Sequence, residues 1–151
     1  MEQFNNKAEN FYREIRSIEI YDAKDYDFTQ NMLGNFPNIN NLLYSFEIIP
    51  EDFERKISRK TKDGNYYHDI EIGFPLLKMD KTNVDKYQNY FNKKGFCVVL
   101  VSNVDKTALG NSREPLKIEM LDNRKDDNSG KDEYYMSITG ETIINPVVIM
   151  L

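Results

Sequence analysis

GFCVVLVSN, residues Gly95 to Asn103, is apolar without a break from Phe96 to Val101 and is bounded by a glycine and a polar turn. A short apolar run bounded in this way reads as a strand buried on both faces. The residues before it read as a helix that starts at Asp80 or Thr82 and runs to Lys94, with Val84, Tyr87 and Phe91 as its apolar seam. Asp80 and Asp85 near its start, and Lys93 and Lys94 in its last turn, suit the helix dipole. Gly95 is expected to end that helix through the left-handed conformation.

Further upstream, Lys62-Asp63-Gly64-Asn65 supplies the Asp-Gly pair of a tight hairpin turn. Phe53 to Thr61 reads as the strand entering it. The returning strand sets Tyr66, His68, Ile70, Ile72 and Phe74 on one face and Tyr67, Asp69 and Glu71 on the other, until Pro75 is expected to end its ladder. Tyr44 to Ile49 and Ser17 to Tyr21 read as further strands. Near the start, Phe4, Ala8, Phe11, Tyr12 and Ile15 form the stripe of an amphipathic helix from Glu2 to Arg16, which covers the domain's own sheet or docks on a partner. Between Asp22 and Asn41, Thr29 is a candidate cap for a short helix carrying Met32, Leu33 and Phe36. Pro37 is a candidate start for another, carrying Leu42 and Leu43, although Gly34 and the asparagines weaken both.

Downstream of Asn103, Val104 to Thr107 reads as a turn and Thr107 to Gly110 as a short strand pairing back. Leu116, Ile118 and Met120 alternate with polar residues, as do Tyr134, Met136 and Ile138 before Gly140. Gly110 and Gly140 are placed where strands turn, and Pro115 where one begins. Asp122 to Asp132 holds no apolar side chain and reads as an exposed, mobile loop. The chain ends on the apolar Thr142 to Leu151, interrupted by Pro146. Strands joined by short turns, with an N-terminal helix and one helix between strands, indicate an α+β fold. Its sheet should be mainly antiparallel, as a sandwich or a partly open barrel, in one domain spanning residues 1–151. A chain of this length can bury roughly 70% of its unfolded surface without disulfide staples.

Composition narrows the chemistry. Twenty basic residues against 25 acidic ones argue against a domain devoted to nucleic-acid backbone. The N-terminus lacks the basic-then-apolar pattern of an export signal, and no apolar run approaches the length that spans a bilayer, so a soluble protein without membrane association is expected. The single cysteine, Cys97, lies in the most apolar run, where it packs as a small hydrophobe. The single histidine, His68, excludes a multi-histidine metal site within one chain. Asp69 and Glu71 share a strand face and could hold Mg²⁺ in a nuclease-like site, but the lysine expected two residues on is absent. In Asp126-Asp127-Asn128-Ser129-Gly130, setting Gly130 sixth in a calcium loop puts Lys125 first and Met136 twelfth, where carboxylates are needed. An ion between Asp122 and Asp132 stays open. No phosphate-binding or nucleophile motif is present. The reading is therefore non-enzymatic, with no cofactor, no catalytic residue and no metal ligand.

Two features point to contacts with macromolecules. The apolar tail Val147, Val148, Ile149, Met150 and Leu151 would be adhesive unless paired, and an exposed strand edge invites extension by a neighbour. Arg55, Lys56, Arg59 and Lys60 form the strongest basic cluster and are candidates for capturing a macromolecule, with lysine protection of a strand edge as the alternative reading.

From Asp63 to Glu141, more than half the chain, the order of features resembles small structural proteins encoded in phage and prophage tail and head-to-tail connector gene clusters of gut-type and flavobacterial (Bacteroidota) hosts. The features are the hairpin strand Tyr66 to Phe74, a helix, the strand Val98 to Ser102, Leu109-Gly110-Asn111, Pro115-Leu116, Asp132-Glu133-Tyr134 and Ile138-Thr139-Gly140. The resemblance implies a virion component made in the host cytoplasm, whose partners are its own copies and other virion proteins. It carries over no catalytic residue.

Overall fold

A computed structural model of the chain describes residues 13–77, 81–92, 94–122, 124, 126 and 133–151. Two antiparallel sheets share one core. The first contains β1 (Ile15–Asp22), β2 (Leu42–Glu47), β5 (Phe96–Ser102), β6 (Asp105–Leu109) and β9 (Val147–Met150), in the order β2-β1-β5-β6-β9. The second contains β3 (Glu54–Lys62), β4 (Asn65–Leu77), β7 (Lys117–Asp122) and β8 (Glu133–Thr142), in the order β3-β4-β8-β7. Two α-helices, α1 (Phe28–Met32) and α2 (Lys81–Phe91), complete the described elements with three single-turn 3-10 helices. The fold is an α+β antiparallel sandwich, and neither sheet closes into a barrel.

The apolar run lies at the centre, as expected. β5 is the middle strand of the five-stranded sheet, and every residue in it except Val101 is buried. Its inner side chains Val98 and Leu100 meet Ile18, Ile20 and Leu109 of the same sheet and Ile70, Ile72, Phe74, Ile118, Met136 and Ile138 of the other. Its outer side chains Cys97 and Val99 pack with Tyr21, Tyr26 and Ala108 under the segment between β1 and β2. Burial on both faces gives each such side chain about 1.5–3 kcal/mol of stabilisation. The Cys97 thiol is free and buried, and burial pushes its pKa well above the ordinary thiol value.

The hairpin forms as its turn chemistry requires. Asp63 and Gly64 take φ of 52° and 81°, and the ladder runs without a slip from Lys62↔Asn65 to Glu54↔Gly73. Pro75, however, does not end β4. The strand continues to Leu77 beside β8, with Pro75 opposite Tyr135. β3 has already stopped at Glu54, so this part of β4 has lost one neighbour, and a strand with such an edge tolerates the missing donor.

Other expectations are corrected. A helix from Glu2 cannot reach Arg16, because Ile15 and Arg16 belong to β1; residues 2–12 of that helix lie outside the described residues. A register shift between Ile15 and Ser17 lets both Ile15 and Ile18, three apart on one strand, enter the same core. Thr29 does not cap α1, whose cap is Asp27, and Met32 and Leu33 are exposed while Phe36 packs inward. After Pro37 there is only the single turn Ile39–Asn41, and Leu42 already begins β2. β6 starts at Asp105, inside the expected turn. Gly140 lies within β8 and not at a turn, the strand ends at Thr142, and the last strand begins at Val147. Of the polar loop, only its first residue and positions 124 and 126 are described; residues 123, 125 and 127–132 lie outside.

Helix α2 carries Val84 and Phe91 into the core but is shorter than expected: it ends at Phe91, so Lys94 lies beyond it, Thr82 lies inside it and not at its cap, and Asp80 and Lys93 lie outside the described residues. Its rings interlock with β2 and β5: Tyr44 of β2 meets Tyr87 and Tyr90 edge-to-face at 5.3 Å between centroids, and Phe91 meets Phe96 of β5 at 5.3 Å. Each such pair adds about 0.5–1.5 kcal/mol beyond its buried area. α2 also contacts β7, so it joins the edge strand of one sheet to that of the other on one side of the sandwich. Gly95 is not left-handed. It is required because Pro115 packs against it, where a Cβ would stand 2.3 Å from the proline Cβ.

Gly73 has a similar constraint on the outer face of the second sheet. The Tyr135 ring lies over it, and a Cβ there would be 2.1 Å from the hydroxyl that donates to Glu54 at 3.1 Å. Burial and then Glu54 push the Tyr135 pKa up to about 12. Gly73→Ala should therefore destabilise the chain by about 1–3 kcal/mol in urea unfolding. A second variant, Tyr135→Ala, should make the added methyl nearly neutral. Equal losses from Gly73→Ala in both backgrounds would show that the ring is not the obstacle. Thr107 is buried, and its hydroxyl has no hydrogen-bond partner among the described residues. Thr107→Val should raise stability by about 1 kcal/mol in the same assay.

Candidate assembly surface

α2 covers one side of the sandwich. On the other, the edge strands are β9 of the first sheet and β3 of the second, and no described helix lies across them. β9 pairs only with β6, from Ala108↔Val147 to Asp105↔Met150, and the Leu151 amide continues the ladder by donating to Val104 O. Its second backbone edge is unpaired among the described residues. Pairing aligns Phe46, Ile18, Leu100, Thr107 and Val148 in one row across the sheet. The row is core until its last member: Leu100 is fully buried and Val148 is 51% exposed. Met150 and Leu151 are exposed as well, at 74% and 70%, and Ile149 on the other face at 41%. Val147 alone of the tail packs, half-buried, against the Cys97 and Val99 cluster.

The basic cluster divides by the period of the strand. Arg55 pairs with Ile72 and Arg59 with His68, so both arginines share the face that carries the core residues Ile70 and Ile72. Lys56 and Lys60 point the opposite way, Lys56 across from Glu71 and Lys60 across from Tyr67, diagonal to Asp69. Lys60 Nζ donates to Asp69 Oδ2 at 2.8 Å, and the Arg59 guanidinium sits 4.1 Å from the centre of the Tyr66 ring. The four charges expected to act together thus form two pairs on opposite faces, with Lys60 in an ion pair with Asp69 and Lys56 opposite Glu71. The same geometry places Asp69 and Glu71 against cations. Among the described residues no group of three or more His, Cys, Asp and Glu side chains could hold a metal ion. His68 is occupied with Asn145, to whose Oδ1 its Nε2 donates at 2.6 Å.

Two clefts flank the inner face of β3. One, of about 440 Å³, is lined by Arg13, Ile15, Pro50, Phe53 and Arg55, and the other, of about 540 Å³, by Arg59, Tyr66, His68, Ile143 and Asn145. At the first, Arg13 donates to Oδ2 of the buried Asp105, whose Oδ1 accepts from Ser102 at 2.8 Å. Burial opposes the Asp105 charge, but Ser102, Arg13 and then Arg55 outweigh it and hold the carboxyl below the ordinary range. Arg13 thereby fixes the entry of the chain beside the start of β6, at the open side.

Sequence reasoning missed a second polar group. Asn111 Nδ2 donates to Asn31 Oδ1 at 2.9 Å, Asn31 Nδ2 to the Tyr26 hydroxyl at 3.0 Å, and that hydroxyl to Asn35 O. Asn31 and Asn111 are buried, so this relay pins the segment over the outer face of β5. Asn31, one of the asparagines read as helix-weakening, is a hydrogen-bonded core residue, and only its proximity to Asn111, 80 residues away, reveals it.

No family model, no curated protein and no solved structure matches this chain. Among the described residues no helix is long and apolar enough to cross a membrane.

The Asp105 network has a testable pH signature. A carboxylate with a lowered folded pKa contributes stability that is present above its unfolded pKa of about 3.9 and is lost as pH falls through the folded value. Asp105→Asn should cost about 2 kcal/mol at pH 7, and the gap from the parent should shrink below about pH 4. A gap of constant size across that range would contradict the ionised role.

Proposed function

We propose that the chain is a non-enzymatic structural subunit of a phage virion, in the tail or the head-to-tail connector, assembling into a ring or multimer. The observation that carries the assembly is the apolar edge of β9, unpaired among the described residues, on the side away from α2. Natural edge strands are blunted by charge, proline or a cover, and the exposed residues of β9 are all apolar. Pairing of β9 with a different edge of a neighbour is a heterologous contact, which closes a ring when the rotation is right. Strand addition would supply backbone hydrogen bonds, while Ile149 and Leu151 supply apolar area. The virion assignment rests on the resemblance of residues 63–141 to phage structural proteins.

Capture of a macromolecule by the basic hairpin has less support, because Lys56 stands opposite Glu71 and Lys60 is ion-paired with Asp69. A metal-dependent nuclease using those carboxylates has less support for the same reason.

Light scattering should show a multimer whose mass rises with concentration to a plateau. Ile149→Lys with Leu151→Lys should reduce it to monomer while the far-ultraviolet dichroism stays unchanged. A strict monomer at high concentration, together with absence from purified particles, would overturn the proposal.

A further inference from the structure

The cleft of about 540 Å³ near the hairpin turn is lined by Arg59, Asn65, Tyr66, His68, Ile143 and Asn145, none of them acidic. Arg59 is exposed, and among the described residues no carboxylate lies within ion-pair distance of it. Its guanidinium lies instead on the Tyr66 ring, 4.1 Å from the centre. Stacking of this kind holds the planar fork in place without using its N–H donors. His68, which pairs with Arg59 across the ladder, engages Oδ1 of Asn145 at 2.6 Å, so that amide is fixed at the cleft and its Nδ2 donors are left over. An oriented guanidinium with amide donors and no carboxylate beside it suits an oxyanion.

The cleft lies along an edge strand. β3 pairs only with β4, and its second backbone edge is unpaired among the described residues. Its nine residues carry five cations and one carboxylate. A second copy of β3 laid on that edge would set cation against cation, and β9 has no acidic side chain to offer. We infer that the β3 edge is a docking site for an extended acidic segment of a partner protein, which adds as a strand and places a Glu or Asp carboxylate in the Arg59 cleft. Backbone hydrogen bonds supply affinity in this mode, and the pocket for one side chain supplies specificity. Tyr66 and Ile143, 58% and 70% exposed, give an apolar neighbour of that acid a surface. Of the basic cluster, Arg59 is thus the recognition residue, while Lys60 is spent on Asp69. The inference does not rest on the proposed assembly, which uses β9.

The test is fluorescence polarisation of the full chain with a labelled peptide, Ser-Val-Thr-Glu-Thr-Val-Ser. It should bind saturably, and replacing its glutamate by glutamine should weaken binding about tenfold, as expected for one charge-assisted contact. Arg59→Gln, at an exposed position, should do the same to the parent peptide, whereas Lys56→Gln should change binding less than about twofold. A peptide of the same sequence with N-methylated backbone amides should not bind. No saturable binding, equal binding of the Glu and Gln peptides, equal effects of the two protein variants, or undiminished binding of the N-methylated peptide would each overturn the inference. A thymidine oligonucleotide of equal length bound as tightly would show a phosphate site instead and overturn it too. Ile149→Lys with Leu151→Lys should leave peptide binding unchanged, so loss of assembly and loss of docking are read separately.

Discussion

Burial of β5 on both faces is the constraint on which the rest depends. An apolar strand in the middle of a sheet needs two covers, and the chain supplies them by different means. The inner cover is a second sheet, whose strands alternate so that Ile70, Ile72, Ile118 and Ile138 all face inward. The outer cover is irregular chain, the segment between β1 and β2, tied down by the Tyr26, Asn31 and Asn111 relay. A buried polar relay is stabilising only when its members are satisfied, and here each finds a partner. β5 therefore organises both the apolar core and the principal polar network.

The sandwich is asymmetric at its sides, and this asymmetry bears on function. Where β2 and β7 are the edges, α2 brings Tyr87, Tyr90 and Phe91 against Tyr44 and Phe46, and the core is sealed by rings. Where β9 and β3 are the edges, five strands meet four, and the core row ends on an exposed valine. Unpaired backbone beside exposed apolar side chains favours association, and the cheapest association available to a strand edge is another strand.

Much of this was legible in the sequence, and the failures have physical causes. The β5 run, the Asp63-Gly64 hairpin, the α2 seam and the alternating strands follow from periodicity and turn chemistry, which are local. Ile15 stands four after Phe11 and three after Tyr12, so local spacing placed it in a helix, although it begins β1. Gly95 looked like a helix cap, but its constraint is Pro115, distant in sequence and invisible to local reasoning. Pro75 looked like a terminator because its neighbour β3 could not be known to have stopped already. The division of Arg55 and Arg59 from Lys56 and Lys60 was present in the period-two pattern once the strand was granted. The tail Val147 to Leu151 was legible as an adhesive strand, whereas its position at the edge of the sheet required the topology.

The central claim is that the α2 side is closed and the β9 side is where copies meet. Hydrogen exchange followed by mass spectrometry at low and high protein concentration tests it most directly. The account predicts that amides of β9 gain protection as concentration rises, while those of β2, α2 and β7 exchange at unchanged rates. Added protection at β2 or β7, with β9 unchanged, would contradict it.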